Sequence, residues 1–155
     1  MEYEQHRKWM TQAIALATEA GTAGEVPVGA LIIGPDGDCI AAAGNQRERH
    51  HNPTAHAEIL VLQQAAQHLQ RWQLQDCTLY VTLEPCPMCA GAIVQARLGT
   101  LIYGADDPKA GAVRTVLNIP DSAASFHRLS VLGGILETDC RQQLQDWFAQ
   151  HRREK

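Results

Sequence analysis

Thr54-Ala55-His56-Ala57-Glu58 and Pro85-Cys86-Pro87-Met88-Cys89 are the two stretches on which this chain is read. Each opens an apolar-periodic segment, so each marks the start of a helix, and the chain between them decides the architecture. The side chains at these two starts are an imidazole, a carboxylate and two thiols. Zinc prefers tetrahedral sites of nitrogen and sulfur, and a catalytic site supplies three protein ligands and keeps the fourth place for water. His56, Cys86 and Cys89 make such a set. Two cysteines three positions apart at a helix start can hold one ion, and the positive end of that helix favours their thiolate form. Pro85 and Pro87 stiffen the turn that aims them.

His56 and Glu58 constrain the geometry further. Two residues apart on a helix wall they would point about 200° apart and could not share a site. They must work from the helix's first turn, its end facing the metal. The same logic brings both helix starts to one point at the ends of the strands, where open α/β sheets place their ligands. Glu58 then reads as general acid and base: zinc lowers the pKa of its water to about 7, and a carboxylate in reach moves that water's protons. The competing reading is a zinc ion that only staples the fold, since a lone Cys-x-x-Cys serves structural and redox sites too. His-Ala-Glu at a helix start and Glu84-Pro85 ahead of the cysteines favour catalysis.

The rest of the composition sets bounds. At 155 residues the chain is expected to be one domain, residues 1–155, with one core. Apolar residues at 45% and charged residues at 19% suit a water-soluble globular protein. With no run of eighteen apolar residues and no signal-peptide pattern, the expectation is a cytoplasmic protein without membrane partners. Five cysteines fit metal ligation plus free thiols better than a disulfide framework, and Cys39, Cys77 and Cys140 are read as core residues. The net charge of -4 leaves any nucleic-acid affinity to local patches. Arg47, Arg49, His50 and His51 form one candidate and His151, Arg152, Arg153 and Lys155 another, with solvated surface charge as the plain alternative. His6, His68 and His127 are read as solvent-facing or hydrogen-bonded.

In chain order, Tyr3 to Ala20 reads as a helix with Trp9, Ala13, Leu16, Ala17 and Ala20 on one face. Val26 to Ile33 and Cys39 to Ala43 read as strands of a hairpin around Gly34-Pro35-Asp36-Gly37. Asn45 to Pro53 is irregular, Ala55 to Leu69 helical, Cys77 to Leu83 a strand, Pro87 to Arg97 a helix and Thr100 to Tyr103 a strand. That succession of strand, helix and strand implies a parallel crossover. Gly104 to Ser125 is a long loop with a short helix expected near Ala112 to Leu117. Leu129 to Ile135 is a last strand and Glu137 to His151 a last helix. The fold class is α/β: a mixed sheet of five strands with helices on both faces, in three layers.

The chain resembles a known family at these residues. His-x-Glu followed by Pro-Cys-x-x-Cys is the signature of zinc-dependent nucleobase deaminases. Glu25-Val26-Pro27-Val28-Gly29-Ala30, Asn45, Pro53 to Ile59, Leu79 to Ala92 and Gly104 to Gly111 together resemble the bacterial tRNA-specific adenosine deaminases, of the cytidine/deoxycytidylate deaminase superfamily. The resemblance runs through most of the chain. It implies the cytidine-deaminase-like fold, one Zn2+ per subunit, and hydrolytic conversion of the wobble adenosine of an arginine tRNA anticodon to inosine. It also implies a homodimer with active sites near the subunit interface.

Carried over by position, Asn45 would hydrogen-bond the flipped base, Val28 would line its pocket, the Ala57 amide would contact the base and Asp107 would hold a neighbouring sugar. A carboxylate accepting from a 2′-hydroxyl prefers RNA to DNA. Asp107 also suits a turn in Asp106-Asp107-Pro108, and Trp147 and Phe148 suit either base stacking or core packing. An anticodon loop is a fitting substrate, because its bases are already unpaired and extruding one is cheap. Asp106 stands where the family often carries a basic or neutral residue. Two other functions remain open on these residues: a free-base deaminase acting on guanine or cytosine, and a noncatalytic zinc-stapled RNA-binding subunit, against which Glu58 speaks.

Overall fold

The computed structural model describes residues 2–153, with side chains as far as His151. The Arg152 and Arg153 side chains and Lys155, part of the basic run noted at the carboxy terminus, lie outside the described residues. Helix α1 (Glu2–Thr22) buries Met10, Ala13, Ala17 and Ala20, a three-and-four spacing that forms one helical stripe. Strands β1 (Gly29–Ile33) and β2 (Cys39–Gly44) follow as an antiparallel hairpin. Then come α2 (Ala57–Leu69), β3 (Thr78–Leu83), α3 (Pro87–Gln95), β4 (Thr100–Ala105), β5 (Ser130–Leu132) and α4 (Glu137–Arg153).

The five strands are ordered β2-β1-β3-β4-β5, antiparallel across β2, β1 and β3 and parallel across β3, β4 and β5. The mixed sheet arises because the tight hairpin turn reverses β2, whereas α3 carries the chain back to start β4 beside β3. Side chains alternate between the two faces. Ala30, Ile32, Leu79, Val81, Leu101 and Tyr103 pack with α2 and α3, while Leu31, Tyr80 and Ile102 pack with Met10 and Ala13 of α1 and Cys140 of α4. Helices therefore cover both faces in three layers. The central Leu79 and Leu101 are fully buried, and truncating either to alanine would remove about 2–5 kcal/mol of stability. Gly29 is where α1 comes closest, since a Cβ there would overlap the Ala13 carbonyl. No helix among the described residues is long and apolar enough to cross a membrane.

Four details differ from the sequence reading. Val26 to Val28 approach β1 without joining it, and β5 is confined to three residues. Residues 112–116 form turns, not a helix. Cys39 is exposed, because it begins an edge strand with the hairpin turn beside it, whereas Cys77 and Cys140 are buried as expected.

Candidate active site

One end of the sheet gathers every stretch that the sequence singled out. β3 and β4 finish there, β2 ends there at Gly44, and β1 begins there opposite it. Each helix pointing into this end starts on a residue whose side chain makes no capping hydrogen bond. His56 caps α2 and Cys86 caps α3, both with extended backbone, so their side chains are free to face each other. Cys86 Sγ lies 3.7 Å and Cys89 Sγ 3.5 Å from His56 Nδ1. The three donor atoms fall within 4.8 Å of one another, and among the described residues no other group of three His, Cys, Asp or Glu side chains converges in this way.

The electrostatics suit a cation. Hydrogen bonding from Cys89 and then from His56 lowers the Cys86 thiol to about 4, against a burial effect that opposes it. Cys89 is pushed up by its hydrogen bond to Cys86 and by burial, and His56 is raised chiefly by its hydrogen bond to Cys86. Two thiols and an imidazole this close would give up their protons to a divalent ion. One nitrogen and two sulfurs, at the start of a helix, fit a borderline-soft tetrahedral metal with one place left for a small ligand. Glu58, 4% exposed in the first turn of α2, stands beside this group; burial lifts its carboxyl to about 7.

The cleft above is lined by His56, Glu58 and Cys86, and also by Val28, Asn45 and Asp107, so the structure assembles the sequence-derived residues in one place. Ala57 is buried at the start of α2, and its amide hydrogen goes to Asn45 Oδ1 at 2.9 Å, so it is engaged by Asn45 and not free for the base contact that the resemblance implies. Asn45 Nδ2 donates to the Val26 carbonyl at 3.0 Å, leaving one amide hydrogen for a ligand. Asp107 Oδ1 accepts from the amides of Lys109 and Ala110, which satisfies the turn reading, and the same side chain lines the cleft. Asp106 turns away to accept from the Tyr103 hydroxyl at 2.9 Å. His50 and His51 are exposed, His6 Nδ1 meets the Tyr80 hydroxyl at 2.7 Å, and Trp147 Nε1 donates to the Gly21 carbonyl while Phe148 stays exposed.

Of the candidate basic patch, Arg47 brings its charge to the cleft. Reading the sequence missed the part played by two acids. Glu25 and Glu84, each 1% exposed, hold the loops on either side. Glu25 accepts from the amides of Glu48 and Arg49 and from Arg49 Nε; burial raises its carboxyl, but these bonds outweigh that effect and leave it below the ordinary 4.5. Glu84 is likewise held below 4.5, with hydrogen bonds led by Thr115 overcoming burial. No local signal marked Glu84 as buried, because β3 is covered on both faces and alternation along it does not separate inside from outside.

Comparison with known proteins agrees with this geometry. The family model described as MafB19-like deaminase matches residues 4–152. The chain is 42% identical over 151 residues to a tRNA-specific adenosine deaminase of Bacillus subtilis (strain 168), spanning 97% of this chain and 93% of that protein. The chain belongs to the tRNA-specific adenosine deaminases. A solved structure from work on A-to-I editing by tRNA:A34 deaminases superposes with a TM-score of 0.84 at 41% identity, covering 86% of this chain and 96% of that one. A guanine deaminase of Bacillus subtilis shares the fold at 31% identity and a TM-score of 0.63, covering 93% and 94%. This tRNA deaminase family and free-base deaminases therefore stand on one scaffold.

Proposed function

We propose that this chain hydrolyses adenosine to inosine in tRNA, at the wobble position of an arginine tRNA anticodon, releasing ammonia. The observation that carries the reading is the meeting of His56, Cys86 and Cys89 beside buried Glu58 at two helix starts. His56, Cys86 and Cys89 would hold zinc, which when bound supplies a water acidified to a pKa of about 7. Glu58 takes a proton from the attacking water and delivers it to the purine ring nitrogen as the C6–O bond forms. It then takes the proton of the new C6 hydroxyl and passes it to the exocyclic amine, and the C6–N bond breaks as the C6 carbonyl forms and ammonia leaves. A carboxyl held near 7 by burial suits both directions of transfer.

Asn45 and Val28 orient the base, with the Ala57 amide supporting Asn45. Asp107 accepts from a neighbouring 2′-hydroxyl, and Arg47 meets a phosphate at the cleft mouth. The enzyme acts in the cytoplasm as a homodimer with its anticodon stem-loop substrate. A free-base reading has support in the guanine deaminase neighbour, and the substrate separates the two. Mass analysis of an anticodon stem-loop after incubation is expected to show inosine with wild type and about 10² to 10⁴ less with Glu58→Ala at equal zinc content. Ammonia from guanine, adenine or cytosine with unaltered RNA would replace this reading with the free-base one.

A further inference from the structure

We propose that Glu84 is a positioning residue that locks the loop of residues 106–115 to the zinc-ligand turn and so sets where Asp107 meets the RNA. This rests on the tRNA reading above. Glu84 follows the last residue of β3 and stands two positions before Cys86. Its Oε1 accepts from the Asp107 amide at 3.1 Å and from the Thr115 hydroxyl. Its Oε2 accepts from the successive amides of Val113, Arg114 and Thr115 at 3.1, 2.8 and 3.0 Å.

Consecutive amides turned inward make a concavity that binds an anion, and here the chain fills it with its own side chain. The backbone reinforces the contact: the Glu84 amide donates to Ala105 and the Ala112 amide to Pro85, both at 2.9 Å. Gly111 lies flat on the carboxylate, and a Cβ there would overlap Glu84 Oε1 and the Asp107 carbonyl. The loop has no helix or strand of its own to hold its shape. Asp107 is therefore placed by a bond from its own amide to Glu84, whose carboxylate is spent on the loop's own donors.

Glutamine at position 84 keeps the volume but turns an NH2 donor toward amides that also donate. Thr115→Val removes one donor from an exposed residue and leaves the fold intact. For Glu84→Gln the expected result is a KM for the anticodon stem-loop raised about tenfold, with kcat within about threefold and one zinc per chain retained. Thr115→Val shifts KM the same way by a smaller factor. Hydrogen exchange should speed up at the Asp107, Val113, Arg114 and Thr115 amides while those of α2 and α3 keep their protection. Unchanged exchange at those four amides overturns the proposal, as does a fall in kcat and zinc content together with no change in KM. Faster exchange at the four amides in a chain that converts no RNA upholds the lock and overturns only the tRNA assignment.

Discussion

The floor and the walls of the cleft are built in opposite ways. The floor is two helix starts, where His56, Glu58, Cys86 and Cys89 are fixed within one turn of rigid helices packed on the sheet. The walls are loops, residues 45–55 and 106–115, each without helix or strand and each tied down by a buried carboxylate. The two walls also differ from each other: Glu25 is neutralised in part by a cation, the Arg49 guanidinium at 3.4 Å, whereas Glu84 is held by amides and a hydroxyl alone. The floor cannot move without unfolding a helix, whereas polar contacts hold the walls in place.

Substitutions should separate the two, beginning with the floor. Cys86→Ala and Cys89→Ala leave two ligands each, and both are expected to release the metal and abolish turnover; elemental analysis beside the assay checks this. A variant that retained one ion per chain would mean that the floor is not the metal site. Glu58→Gln is expected to bind metal normally and to lose about 10² to 10⁴ in kcat, read from single-turnover kinetics. A loss expressed in KM alone would move Glu58 from the floor to the walls.

The walls should answer in KM. Asp107→Asn is expected to raise the KM for a ribose stem-loop about tenfold, with little change for the same loop carrying a deoxyribose at the neighbouring position. Equal effects on the two substrates would assign Asp107 to its turn only. Glu25→Gln is expected to act least on turnover and to show itself in acid. Because its folded pKa lies below 4.5, Glu25 contributes stability above that pH and loses it as pH falls through the folded value. Thermal unfolding at neutral pH should therefore place the variant below wild type, with the gap closing below about pH 4.5. A constant gap would mean that Glu25 acts by shape and not by charge.

Much of this was written locally in the chain. The element order follows from periodicity: the Ala13, Ala17 and Ala20 stripe, which Met10 completes in place of the expected Trp9 and Leu16, the β-branched and aromatic run of β3, and proline at the first position of α3 are all short-range features. The spacing of His56 and Glu58 forces them to act from a helix end, and the start of α2 is where both stand. Tertiary structure decided the walls. Turns at residues 112–116 stand in place of the expected helix: the Val116 and Leu117 amides both donate to the Gly111 carbonyl and not to carbonyls four residues back, and the Val113, Arg114 and Thr115 amides before them are gathered on Glu84. That partner lies about thirty positions away in the chain, and local propensity carries no record of it. Cys39 is exposed for a similar reason, because only the order of strands makes β2 an edge. Ligand spacing and helix starts are properties of neighbouring residues, whereas a loop's path is set by whichever distant group satisfies its amides.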